Sequence, residues 1–187
     1  MPYAETIATV RRTLLDTFAE IDRWFERAGH LRRYRPRTGG WTIDEVLEHV
    51  TLTNHFLMLI LRKWVEIALR RAGRTPITEG ESDLRVLEVV GRRGSFGWVR
   101  PVHMEPTGNV TPEAVRETMQ EQCRECLKLL EQLGTGEGAL CRVTMTVNDL
   151  GKIDLYQWLY FVAMHARRHL RQLVAIEREA TFGGGES

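Results

Sequence analysis

The sequence has no excess of either charge, no long hydrophobic run and no hydrophobic leader. Its 187 residues include 26 basic and 25 acidic side chains, for a net charge of +1. No strong electrostatic field therefore favours nucleic acid or an anionic membrane as a partner. Apolar stretches such as Phe56–Leu61 are far too short to span a bilayer, and the N-terminal residues lack the apolar core of a signal peptide. We expect a cytoplasmic protein that binds neither nucleic acid nor membrane.

Nucleophilic residues are also scarce. The three cysteines are too few, and odd in number, for a disulfide framework in a chain of this length. Cys123 and Cys126 form a C-x-x-C motif within a helical pattern, whereas redox motifs usually open a helix after a strand. We interpret both as buried core residues. The three serines, Ser82, Ser95 and Ser187, lie outside any nucleophile-elbow pattern, so no serine nucleophile is indicated.

What the sequence does contain is helical periodicity. It predicts one all-α domain over residues 1–180, followed by a disordered tail over residues 181–187. Four long helices are predicted, with approximate bounds Ala4–Ala28, Ile43–Ala72, residues 111–134 and Leu155–Arg178. Capping residues mark three of the starts: Thr42 with Glu45, Thr111 before Pro112, and Asp154 with Gln157.

Two connections are longer than a simple helical bundle needs. Residues 74–110 are rich in glycine and proline and contain a pattern for a short helix near Leu84 to Val90. Loops this long in a compact domain often shape a site. Residues 141–147 alternate and are rich in β-branched side chains, which predicts a short strand or β-hairpin arm before the last helix.

Three histidines are placed on inward helix faces by the helical wheel. On the last helix, His165 and His169 fall about 40° apart in the middle of the apolar stripe. On the second helix, His49 falls on a stripe with Phe56 and Ile60. Each buried polar group without a partner would cost about 1–3 kcal/mol, so all three imidazoles need one.

A divalent metal ion would satisfy all three, since i, i+4 spacing puts two ligand nitrogens on one side of a helix. Three neutral imidazoles would also leave a coordination position open, as catalytic sites do. The alternative is that each histidine is an ordinary hydrogen-bonded core residue. The H-E-x-x-H motif of zinc proteases is absent, because no glutamate lies between His165 and His169.

Two segments carry a resemblance to a known family. Residues 40–50 contain W-x-x-x-E-x-x-x-H, and residues 154–173 end in H-x-x-x-H-x-x-Q-L. In this order, with a third helix between them, they resemble the DinB-like superfamily, also called YfiT-like or damage-inducible proteins. The resemblance covers nearly the whole chain.

The resemblance implies an up-down four-helix bundle in which His49, His165 and His169 hold a divalent metal ion, zinc or nickel. Several members of that family use a low-molecular-weight thiol, such as bacillithiol or mycothiol, for S-transfer or isomerisation, and dimers are common. We therefore expect a homodimer that activates a thiol at the metal to attack a small-molecule electrophile. A metal-dependent hydrolase is the alternative, and a third class is a non-catalytic stress-response or ligand-binding bundle.

Supporting roles can be assigned to residues near the predicted ligands. Gln172, one turn beyond the last histidine, is either an outer partner of the metal site or an amide at the core edge. Thr53 either bonds within the pocket or bonds its own helix backbone. His103 and Arg100, in the long loop with Trp98, either hold a substrate carboxylate at the mouth of the site or belong to a solvated loop face.

Overall fold

The computed structural model describes residues 2–91, 101–147 and 150–182. Most of these residues are helical, which confirms the all-α class. In chain order the elements are α1 (Ala4–Asp22), a 3₁₀ helix (Arg23–Glu26), α2 (Gly29–Arg32), α3 (Ile43–Ala72), 3₁₀ helices at Leu84–Gly91 and Val102–Met104, α4 (Pro112–Gln132), a 3₁₀ helix (Glu137–Leu140), β1 (Arg142–Met145), β2 (Gly151–Asp154) and α5 (Leu155–Phe182). Within these ranges, no helix combines the length and the hydrophobicity that a membrane span needs.

Three helices begin where their capping residues predict. Thr42 Oγ1 accepts a hydrogen bond from Glu45 N at 3.2 Å, and the Glu45 carboxylate accepts one from Thr42 N at 2.8 Å. The same reciprocal pair joins Asp154 and Gln157 at the start of α5, with both bonds 2.9 Å long. Thr111 caps α4 through its side chain. These bonds satisfy amides that the first turn of a helix leaves without a partner.

The first helix ends earlier than predicted. α1 stops at Asp22 rather than Ala28, and the chain continues as a 3₁₀ helix in which Trp24 and Phe25 are both buried. One turn of 3₁₀ helix buries apolar residues at nearly the spacing of an α-helix, so periodicity cannot separate the two. Arg116 of α4 pairs with Asp22 and ties this end to the next helix.

α5 is the most enclosed helix. Every residue from 153 to 166 is buried, because α1, α3 and the 3₁₀ helix Leu84–Gly91 all pack against it. α4 packs mainly against α1 and α3. A helix that is covered on all sides is apolar on all sides, and in this half of α5 the exceptions are Gln157 and His165. Thr181 and Phe182, predicted to lie in the tail, belong to α5, and residues 183–187 lie outside the described residues.

The predicted arm before the last helix is a two-stranded antiparallel sheet. β1 pairs with β2 so that Arg142 lies opposite Asp154 and Met145 opposite Gly151. β2 leads directly into α5, and Trp158 of α5 donates to the Val143 carbonyl at 3.3 Å. The sheet therefore fixes the start of the helix that carries two of the candidate ligands.

Candidate metal centre

α5 brings two of the three histidines together. His165 and His169 are 1% and 7% exposed, so both have the inward orientation that the wheel predicts. Their Nε2 atoms lie 3.2 Å apart. This follows from their spacing, because residues four apart on a helix face the same side.

His49 reaches the same point from α3, although the predicted stripe was wrong in its second half. Ile60 is 37% exposed and Phe56 is half-buried, whereas Leu57 and Leu61 are buried. The core-facing side of α3 is therefore rotated from the predicted one, and His49 lies at its edge. A residue at the edge of the core-facing side is partly exposed unless another part of the chain covers it. His49 is only 3% exposed, so another segment must cover it.

The cover comes from outside the long helices. All residues of α3 from 46 to 51 are buried, including those on the side that faces away from the core. The carbonyl oxygen of Met104, in the long loop, lies 2.6 Å from His49 Nδ1. The ring of Trp41 lies against His49 with centroids 4.7 Å apart. The loop between α3 and α4 is thus part of the site.

The three histidines converge on one point. Each offers a ligand nitrogen, and the three nitrogens lie within 4.8 Å of one another. Two nitrogens bound to one tetrahedral zinc ion, each at about 2.0–2.1 Å, are about 3.3–3.4 Å apart. The His165–His169 separation of 3.2 Å already fits that value, and the ligand nitrogen of His49 lies within 4.8 Å of both. The predicted ligand set can therefore hold one divalent ion.

Hydrogen bonds orient two of the rings. A carbonyl oxygen can only accept, so His49 Nδ1 must donate its proton to Met104 O. His169 Nδ1 likewise donates to Gln172 Oε1, 3.0 Å away. In a neutral imidazole this leaves the lone pair on Nε2, and in His169 that atom lies 3.2 Å from His165 Nε2. Histidine ligands of metals are commonly held by such outer partners.

Electrostatics also favour a neutral His165. Burial is the main reason that the pKa of His165 lies well below the ordinary value for histidine, and the neighbouring His169 and His49 lower that pKa further. The ring therefore stays neutral at physiological pH and keeps a lone pair for a metal.

The other predicted site residues differ in whether they contact the three histidines. Gln172 contacts His169, as an outer partner would. Thr53 is fully buried, and its hydroxyl makes no hydrogen bond within the described ranges, neither in the pocket nor to its own helix. His103 is exposed and packs on Phe56, with centroids 4.1 Å apart, so it lies outside the ligand cluster. Arg100 and Trp98 lie outside the described residues.

Sequence reasoning missed two contributors. The Met104 carbonyl orients His49 from 55 positions away, and the buried carboxylate of Glu48 accepts three hydrogen bonds from Thr107 and Gly108. Neither contact leaves a local signal in the chain. The length of the loop was the only indication that it shapes a site.

The C-x-x-C motif is not part of this cluster. Cys126 of α4 lies in the hydrophobic core, and burial strongly raises the pKa of its thiol. Cys123 is half-buried and lines a groove between α1 and α4 beside Phe18 and Leu127. The interpretation of Cys126 as a core residue is confirmed, and Cys123 lies at the core's edge.

Comparison with known proteins gives one result. The family model described as the DinB superfamily matches residues 6–173, a range that contains all three histidines. No curated protein and no solved structure matches the chain significantly.

Proposed function

Because the chain belongs to the DinB superfamily and three of its histidines converge, we propose that it binds one divalent metal ion, zinc or nickel. His49, His165 and His169 would be the ligands. The observation that carries the proposal is the 3.2 Å approach of two Nε2 atoms, with the third histidine's ligand atom inside the same 4.8 Å group. Two of these rings donate their Nδ1 proton to a protein partner, which leaves the lone pair of Nε2 free to bind the metal.

The reaction that we propose is S-transfer from a low-molecular-weight thiol to a small electrophile. A divalent ion with three protein ligands keeps a position open, where it lowers the pKa of a bound thiol or water. The sulfur would form the new bond to the electrophilic carbon, the leaving group would depart with its electron pair, and the thiol proton would pass to solvent. His49 and His169 would stay neutral ligands throughout, held by Met104 O and Gln172.

The thiol would come from a separate molecule. Cys126 is buried in the core with a raised pKa, and the pKa of Cys123 is also raised by burial. A neutral buried thiol is a poor nucleophile, because the thiolate is the reactive form. Neither residue belongs to the histidine cluster.

Hydrolysis is the less favoured alternative. Water activated at a metal is usually helped by a carboxylate base. The two carboxylates nearest His49 in sequence are both engaged: Glu45 caps α3 and pairs with Arg35, and Glu48 holds Thr107 and Gly108. This favours thiol transfer over hydrolysis.

A turnover assay separates these classes. Zinc- or nickel-loaded protein would be mixed with a chloro-nitroaromatic electrophile and, in turn, bacillithiol, mycothiol or glutathione. We expect thiol-dependent turnover that is lost in His165→Ala and kept in His55→Ala, a matched change at an exposed histidine of α3. Turnover of an activated ester without any thiol would indicate a hydrolase. Metal binding without either activity would indicate a non-catalytic, ligand-binding protein.

Two architectural inferences accompany the proposal. We infer that α1, α3, α4 and α5 form an up-down four-helix bundle, which is supported by the packing of α1 on α5 and α4 and of α3 on the same two helices. We also infer a homodimer, as is common in the family. Light scattering of the purified protein tests the dimer, and a mass of one chain, about 21.6 kDa, would contradict it.

A further inference from the structure

Glu48 is a buried carboxylate with no cation beside it in the described part of the chain. It lies in the second turn of α3, immediately before His49, and is 4% exposed. It belongs to none of the ion pairs formed by the described residues. A buried carboxylate is costly unless hydrogen bonds satisfy it, so its partners indicate why it is tolerated.

All the partners of Glu48 belong to one turn of the long loop. Its Oε1 accepts from Thr107 N at 2.9 Å and from Thr107 Oγ1 at 2.8 Å, and its Oε2 accepts from Gly108 N at 2.9 Å. The Thr107 hydroxyl in turn accepts from Asn109 N at 3.1 Å. Gly108 has φ +68°, a conformation that favours glycine. The turn is therefore built around the carboxylate.

The same loop segment orients the first candidate ligand. Four residues before Gly108, the Met104 carbonyl accepts the Nδ1 proton of His49 at 2.6 Å. Consecutive residues of α3 thus hold the loop at two points, Glu48 at the turn and His49 at Met104. Loss of the Glu48 contacts would free the segment that keeps the Met104 carbonyl against the ring.

We propose that Glu48 is a positioning residue for the metal site, which acts by clamping the turn at Thr107–Gly108 so that Met104 O holds His49 with its proton on Nδ1. This inference rests on the proposed metal-binding function. It explains why an anion is buried beside a ligand of the site without contacting the other two histidines in the cluster. Removal of a partner that bonds a ligand directly typically changes metal affinity about ten- to hundredfold. Glu48 acts one contact further out, through Met104, so its effect should lie at or below the lower end of that range.

Glu48→Gln is the sharpest test, because it keeps the side-chain volume while it removes the negative charge and one of the two acceptor oxygens. A glutamine has one acceptor oxygen, and its NH₂ would face the Gly108 N–H, donor against donor. Glu125→Gln is the matched control, because Glu125 pairs with Arg62 on the surface between α3 and α4, away from the loop. Both variants and the wild type would be titrated with Zn²⁺ against a chromophoric chelator.

We expect Glu48→Gln to bind Zn²⁺ more weakly, by up to about tenfold, and Glu125→Gln to bind as the wild type does. A second readout needs no metal: in metal-free protein, ¹⁵N NMR of the imidazoles should show His49 protonated on Nδ1 in the wild type and in both tautomers in Glu48→Gln. A purely structural role for Glu48 would lower the melting temperature without changing that tautomer.

The outcomes separate this inference from the proposed function. Wild type that binds no Zn²⁺ contradicts the metal proposal. The tautomer of His49 would then still show whether Glu48 positions the loop. Unchanged affinity and an unchanged His49 tautomer in Glu48→Gln overturn the clamp alone. If that variant does not fold, Thr107→Ala decides, since it removes one of the three bonds. We expect Thr107→Ala to lose less Zn²⁺ affinity than Glu48→Gln. An unchanged affinity would overturn the inference.

Discussion

The histidine pair of α5 and the cysteine pair of α4 both have the short helical spacing of metal ligands, but among the described residues only the histidine pair is joined by a candidate ligand from a second helix, His49. The histidine nitrogens come from two helices to within 4.8 Å. Cys126 is enclosed in the core, and Cys123 lines a groove between α1 and α4. Spacing alone therefore does not make a site, because ligands from a second element must reach the same point.

The protonation of the two pairs differs as well. Burial keeps His165 neutral, which is the form that binds a metal, and lowers its pKa. Burial of Cys126 raises the pKa of its thiol, which disfavours the thiolate that would bind a metal. The same desolvation thus prepares a histidine for coordination and makes a cysteine inert.

The largest effect is expected for the loss of a ligand. His49→Ala should weaken Zn²⁺ binding by more than about a hundredfold, since ligands matter more than the outer partners, whereas Cys123→Ala should leave it unchanged. Isothermal titration calorimetry of the two variants checks this. Equal losses in both would show that the cysteines belong to the site.

A smaller loss is expected when an outer partner is removed. Gln172→Leu deletes the acceptor that holds His169 Nδ1 at 3.0 Å and should weaken Zn²⁺ binding about tenfold. Gln132→Leu, at the end of α4, is a matched control. If both variants bind Zn²⁺ as tightly as the wild type, Gln172 is only an amide at the core edge.

Cys126→Ser should lower the stability of the protein rather than its affinity for Zn²⁺. The hydroxyl would replace a fully buried thiol and lower the free energy of unfolding by about 1–3 kcal/mol if it finds no partner. Zn²⁺ affinity should not change. Urea denaturation of metal-free protein measures the first quantity, and weaker Zn²⁺ binding in the folded variant would contradict the separation of the two regions.

The smallest expected effect is on the pH dependence of Cys123 alkylation. Because burial raises its pKa above the ordinary value, the neutral thiol persists at pH values where a free cysteine is already ionised, above about 8.5. The rate of alkylation by iodoacetamide, followed by mass spectrometry, should still rise above that pH. A rate that levels off below pH 8 would indicate an activated thiol.

Local chemistry accounts for the parts of the structure that the sequence predicted. The caps at Thr42 and Asp154 place the starts of α3 and α5, and those starts set the direction of the histidines four turns or fewer away. His165 and His169 share one apolar face, so a helical wheel was sufficient to place them together.

Long-range packing accounts for what was missed. The wheel of α3 was centred on the wrong side because Phe56 and Ile60 are apolar yet partly exposed. His49 is covered by Trp41 and by Met104, which lies in a loop that the buried Glu48 also hydrogen-bonds. No periodic pattern encodes a contact between a helix and a carbonyl more than fifty residues away.

The most direct test of the account is elemental analysis of protein purified without a metal-affinity tag, beside His165→Ala. His165 is the most buried of the three histidines, so the substitution removes a ligand with little effect on the surface. We expect about one zinc or nickel ion per chain in the wild type and none in the variant. Wild-type protein that holds no metal and cannot be loaded with Zn²⁺ or Ni²⁺ would contradict it.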